Sequence, residues 1–209
     1  MSAQIGTREA HDQAFIAYLQ GLVKQRDEAG PAAAGARAAL AALRRGLGKA
    51  TGEAPEMFRY LVPWTHELSR SREDAYYLVS ALFAAHGLSW TDEGDEQKQW
   101  RTNLGASLAQ LQAETGSESV ERRVVALLNC NREDLPGHLR RIVMLLKAHD
   151  IGIDWLRLLR DIQRWDHEDR WVQRAWARTF WGTDTPLGGT PSQPQADSTS
   201  ASASVADIA

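Results

Sequence analysis

Apolar residues recur along this chain at the three-and-four spacing that marks one buried face of a helix, and no stretch of useful length alternates as a strand does. The pattern is clearest over 117–147. It predicts two amphipathic helices joined by a short turn, with Val120, Val124, Leu127 and Leu128 inward on the first and Leu139, Ile142, Val143 and Leu146 inward on the second. At 3.6 residues per turn, Arg122 then points away from the core and Arg123 lies on its flank. On the second helix Arg140 and Lys147, seven apart, stand two turns above one another, with Arg141 further round.

Earlier in the chain, 9–28 predicts a helix with Phe15, Leu19, Leu22 and Val23 inward, stopped by Gly30-Pro31. The alanine-rich 32–47 favours helix on propensity alone. Leu40, Leu43 and Leu47 form its stripe, and Arg37, Arg44 and Arg45 form a basic row beside it. Gly46 and Gly48 mark its end, so Arg44 and Arg45 fall on the last turn, where complementing the helix dipole competes with any binding role. A short helical piece at 56–68, interrupted by Pro63, precedes a helix at 71–86. Tyr76, Leu78, Val79, Leu82 and Phe83 are mostly core there, and Ser71 with Asp74 makes a loose capping box. Residues 87–101 read as a polar loop, and 104–111 as a further short helix.

Asp154 suits the N-cap of a helix carrying Leu156, Leu158, Leu159 and Ile162. A charged turn at 166–169 leads into a last helix at 170–181. Trp165, Trp171, Trp176, Phe180 and Trp181 crowd this region at helical spacing, which reads as packed core ahead of a base-stacking platform. Beyond 182 the chain is Ser, Thr, Pro, Gly and Ala with almost no large apolar residue, the composition of a disordered tail. The expected fold is all-α, a compact two-lobed bundle of about eight to nine helices. An N-terminal lobe would cover 1–95, a C-terminal bundle 96–182 and the tail 183–209.

Charge changes the picture only through its distribution. The net charge of the 209 residues is −3, so bulk electrostatics does not draw the chain to nucleic acid or anionic lipid. The tail holds Asp184, Asp197 and Asp207 and no Lys or Arg, leaving 24 basic and 24 acidic residues in 1–182. A neutral body can carry a basic stripe if its acids lie elsewhere. Cys130 is the single cysteine, which excludes an intrachain disulfide and reads as a small buried hydrophobe. No signal pattern and no bilayer-length apolar run is present, so a soluble, cytoplasmic protein with no membrane partner is expected.

Catalytic signatures are lacking. The glycines of RRGLGKATG lack phosphate-loop spacing and follow a helix. One Cys cannot build a zinc site, and His138 and His149 have no third ligand at matching spacing. Asp166, His167, Glu168 and Asp169 are metal-like by type, but consecutive residues point in different directions and read as a solvated turn. No cofactor is expected, and no enzyme. A metal-dependent nuclease using that acidic turn is the weakest of the readings the residues allow.

The order of landmarks carries more than any one of them. ALRRGLG is followed by YYLVSALFAAH, LGASLAQL, SVERRVVALL, LPGHLRRIVMLLKAHDIGIDWLRLLRDIQRWD and VQRAWARTFW. This series, running from about residue 10 to 182, closely resembles the CasB family, the small subunit of the type I-E CRISPR surveillance complex, Cascade. Two positions depart from the family pattern: Gly152 stands for proline in an I-P-I-D-W-like segment, and Gly87 where proline often follows the histidine.

The resemblance implies a non-catalytic helical subunit, present as two copies among other Cascade subunits. It would bind the displaced non-target DNA strand and brace the duplex of crRNA and target strand. By motif it carries over Arg44 and Arg45 in ALRRGLG, Arg122 and Arg123 in SVERR, and Arg140 and Arg141 in HLRR. Helix geometry adds Arg37 and Lys147. The alternative is a helical adaptor whose charged faces are ordinary solvated surface or contact other proteins only.

Overall fold

The computed structural model describes residues 2–90 and 102–182, with side chains from Gly6 onward. Among the described residues the chain forms nine α-helices and one 3-10 turn, with no strand beyond a single isolated bridge. They are α1 (Ser2–Asp27), α2 (Pro31–Arg44), the 3-10 turn (Pro55–Met57), α3 (Phe58–Thr65), α4 (Arg70–His86), α5 (Leu104–Thr115), α6 (Glu118–Asn129), α7 (Leu135–Ala148), α8 (Trp155–Gln163) and α9 (Trp171–Trp181). The all-α expectation is borne out. The expected break at 95/96 falls within 91–101 and the tail within 183–209, both outside the described residues.

The central element is α4. Small residues Ala75, Ser80, Ala81, Ala84 and Ala85 alternate with Tyr76, Val79, Leu82 and Phe83, and all are buried. Small side chains let neighbouring axes come close while the large ones fill the space between them. Helices α2, α3, α7 and α8 all pack on it. The alanine stripe of α2 (Ala33, Ala36, Ala39), with Leu40 and Leu43, is buried, and α2 packs between α1 and α4. One continuous apolar core therefore joins Phe15 and Leu43 in the first half of the chain to Leu146, Trp155 and Trp176 in the second.

The buried polar groups around α5, α8 and α9 find hydrogen-bond partners. Asp154 caps α8 as expected, its Oδ1 accepting from Arg157 N at 2.8 Å, while Thr102 Oγ1 donates to its other oxygen at 2.6 Å. Asn103 caps α5 and also accepts from Thr179 Oγ1 at 2.6 Å, tying α5 to α9. That contact needs Gly105, because a Cβ there would lie 2.3 Å from Trp176 O. The indole N–H groups of Trp155, Trp165 and Trp176 each find an oxygen: Leu88 O, Cys130 O and Asp161 Oδ2.

Several expectations are corrected. Helix α1 begins at Ser2, not at 9. The capping box at Ser71 and Asp74 does not form. Helix α4 starts at Arg70 with Ser69 as cap, and Ser69 O closes the first turn by accepting from Arg72 N and Glu73 N. In the aromatic group Trp165, Trp176 and Phe180 are core, whereas Trp181 is 41% exposed on the last turn of α9 and donates to Glu121 Oε1. Cys130 is half-buried at the edge of the core, where desolvation pushes its thiol up to about 11.

Gly87 and Gly152 lie at one junction. Gly87 ends α4 at φ +83°, a conformation closed to proline, and directs the chain into Ser89, which bridges Ile153. Gly152 lies under that bridge, and a Cβ on it would sit 2.8 Å from Ser89 O. The two glycines thus let the segments on either side of α5–α7 pair closely, with Trp90 N donating to Ile153 O at 3.0 Å.

Candidate nucleic-acid interface

Burial of the apolar stripes fixes where the cations point. On α6, Val120, Val124 and Leu127 are fully buried, and Arg122 and Arg123 are left exposed. On α7, Leu135, Leu139, Ile142, Val143 and Leu146 are buried, which exposes Arg140, Arg141, Met144 and Lys147. Where α6 packs against α7, Arg122, Arg123 and Arg141 line one pocket of about 320 Å³ together with His138 and Ser119, over Ala126 and Ile142. None of these three guanidinium groups has an ion-pair or hydrogen-bond partner among the described residues. Like charges are held together without local neutralisation, an arrangement that attracts a polyanion.

A second group gathers where α2, α4 and α7 meet. Arg44 Nε donates to Ala84 O at 3.0 Å, and Lys147 Nζ donates to Ala85 O. Arg140 reaches over the loop after α2, its guanidinium so near Gly48 that a Cβ there would lie 2.4 Å from it. Gly48 has φ +81°. Helix α7 links the two groups, presenting Arg141 to the α6 side and Arg140 toward the α2 side. Lys147, seven residues beyond Arg140, lies on the α2 side as well.

The remaining two cations are placed differently. Arg37 is exposed, two turns before Arg44 on α2, with no partner among the described residues. Arg45 faces away from Arg44 and pairs with Glu56, Nη1 to Oε1 at 2.6 Å, with both side chains well exposed. The Glu56 carboxyl is held below its usual range by its own backbone amide and by Arg45. Arg44 lies in the last turn of α2 and its Nε donates to the C-terminal end of α4 as well.

Sequence reasoning weighed His138 only as a metal ligand, yet it lines the pocket beside the arginines. Its position three residues before Arg141, on the same side of α7, was the available signal. His86, at the end of α4, is 6% exposed. Burial lowers its pKa, and nearby Lys147 does so further. The acidic turn is solvated: Asp166 lies 3.5 Å from Arg132, and His167 lies 3.7 Å from Asp169. Among the described residues no three His, Cys, Asp or Glu side chains cluster to hold a metal, and no helix is long and apolar enough to cross a membrane.

Among the described residues, helices on one core and a surface groove of unpaired cations define a small all-α module with a polycationic face. The family model for CRISPR-associated protein Cse2 matches residues 39–181, and the chain belongs to that family. The CRISPR-associated protein Cse2 of Thermus thermophilus is 37% identical over 149 residues, 69% of this chain and 79% of that protein. The fold is shared with M. ruber CasB at a TM-score of 0.63 and 35% identity, over 83% of this chain and 93% of that one. It is shared also with a chain of a CRISPR RNA-guided surveillance complex at a TM-score of 0.66 and 32% identity, over 84% and 94%. The resemblance read from the ordered motifs is borne out.

Proposed function

We propose that this protein is a non-catalytic subunit of a type I-E CRISPR surveillance complex, Cascade. In that reading two copies sit among the other subunits, hold the displaced non-target DNA strand and brace the duplex of crRNA and target strand. The observation that carries it is the pocket where Arg122, Arg123 and Arg141 meet without a carboxylate. Family membership and the likeness to a chain of an RNA-guided surveillance complex support the assembly.

The physical logic is energetic balance. Exchange of a DNA duplex for an RNA–DNA hybrid is nearly neutral, so modest backbone contacts to either product tip it. Guanidinium groups contact phosphate without reading bases, which leaves sequence choice to the guide. Arg44, Arg140 and Lys147 extend the α6–α7 groove along α7, Arg37 adds outlying charge, and Arg45 is held back by its pairing with Glu56.

In the reconstituted complex bound to target, the displaced strand should resist a single-strand nuclease. Arg122→Ala/Arg123→Ala/Arg141→Ala should expose it while leaving assembly intact. Unchanged protection in an assembled variant complex would refute the clamp. Loss of assembly instead would favour the adaptor reading, in which these faces meet protein.

A further inference from the structure

A second concentration of arginine lies in the cleft between α1, α4 and α8, and the reading above does not use it. Arg8, Glu9, Asp12, Arg72, Arg160, Gln163 and Arg164 line about 200 Å³ there. Four guanidinium groups face two carboxylates. Asp12, only 4% exposed, is already committed. Its Oδ1 accepts from Arg72 Nη2 at 3.0 Å and from Tyr76 Oη at 2.6 Å, and Gln163 Nε2 lies at 3.4 Å. Arg8, Arg160 and Arg164 are then balanced only by Glu9 at the exposed rim.

The three remaining cations are held in different ways. Arg164 lies over the Trp171 ring, 5.9 Å from its centroid, which keeps its planar group from swinging freely. Arg160 Nη2 donates to Glu9 O at 3.3 Å, but its Nε is buried without a hydrogen-bond partner. Among the described residues Arg160 therefore has a backbone carbonyl and no carboxylate as its partner. Arg8 is exposed and has no partner among the described residues.

We propose that this cleft binds a single phosphate-class oxyanion, with Arg160 and Arg164 as its principal donors and Arg8 closing the outer side. Guanidinium groups match phosphate oxygens two at a time, so three of them around one cleft suffice for a tetrahedral anion. Arg72 and Asp12 form the fixed back wall and carry no ligand charge of their own. The oxyanion can be a free phosphate group or one phosphodiester of a nucleic acid.

The test is calorimetric titration of the full chain with inorganic phosphate at constant ionic strength. Wild type should bind saturably, and Arg164→Gln or Arg8→Gln, both at exposed positions that spare the fold, should each weaken binding about tenfold. The same titrations in the Arg122→Ala/Arg123→Ala background separate the cleft from the α6–α7 groove: there too Arg164→Gln or Arg8→Gln should weaken the remaining phosphate binding about tenfold. In that same background a twelve-residue oligothymidylate identifies the source. Displacement of phosphate by it assigns a phosphodiester, and none assigns a free phosphate group. Absence of saturable phosphate binding, or equal affinity in wild type and both cleft variants, would overturn the proposal. So would a poly-glutamate peptide that occupies the cleft when phosphate does not.

Discussion

Arg44, from α2, and Lys147, from α7, donate to consecutive backbone carbonyls, those of Ala84 and Ala85, at the C-terminal end of α4. Those carbonyls carry the negative end of the α4 dipole and have no partner within the helix. Two cations distant in sequence therefore close the central helix of the fold. The same contact fixes the edge of the proposed polyanion track. Arg44→Met and Lys147→Met should each cost about 0.5–1.5 kcal/mol in chemical denaturation. Their effects should fail to add, because they act on one helix end. A double variant no less stable than wild type would show that the caps contribute nothing.

Arg45 and Glu56 offer the opposite case. Both partners are well exposed, so the pair contributes little to stability. Glu56→Gln should leave the denaturation midpoint almost unchanged and release Arg45 to a phosphate. Single-stranded DNA should then bind a few-fold more tightly at low salt, with the gain vanishing at high salt. Weaker binding by this variant would place Glu56 inside the recognition surface.

His86 gives a pH dependence whose sign follows from burial. Burial is the main cause that holds its folded-state pKa below the ordinary 6.5; the backbone at Ile151 opposes it, the Lys147 charge adds to it, and Leu88 and Asp150 oppose it less. As pH falls through about 6.5 the unfolded chain takes the proton before the folded one, so stability declines on the acid side. Urea midpoints measured between pH 5 and pH 7.5 should drop toward acid in wild type. His86→Asn keeps an acceptor for Leu88 N, which donates to His86 Nδ1 at 3.1 Å, and should flatten part of that slope. An identical slope in the variant would assign it to other groups.

Cys130 should be a slow nucleophile. Desolvation at the core edge is the main reason its thiol titrates near 11, with Asp134 adding to it, so little thiolate exists at pH 8. Alkylation of the native protein should lag well behind that of the denatured chain. Equal rates would mean the site opens readily.

Much of this fold was legible because helical periodicity is a local signal. The stripes of α6 and α7 predicted the buried Val120, Val124, Leu139 and Ile142 and, by difference, the exposed arginines. What stayed hidden was set by partners distant in sequence. Nothing local shows that Arg44 caps α4, that Arg45 meets Glu56, or that Arg160 opens onto a cleft with Arg8. The start of α4 was missed because Ser69 O, not a Ser71 side chain, closes its first turn. The place of His138 in the pocket stayed hidden because its neighbours in space are arginines of α6, invisible to a search for metal ligands. The role shared by Gly87 and Gly152 shows only once both are seen to serve one bridge.

The central claim is that Arg122, Arg123 and Arg141 act together on a phosphate backbone. The most direct measurement is the slope of log affinity against log salt for single-stranded DNA, compared between wild type and Arg122→Ala/Arg123→Ala/Arg141→Ala. Loss of three phosphate contacts should flatten the slope by about two units, with no dependence on DNA sequence and no change in fold. A folded variant with the wild-type slope would contradict the account.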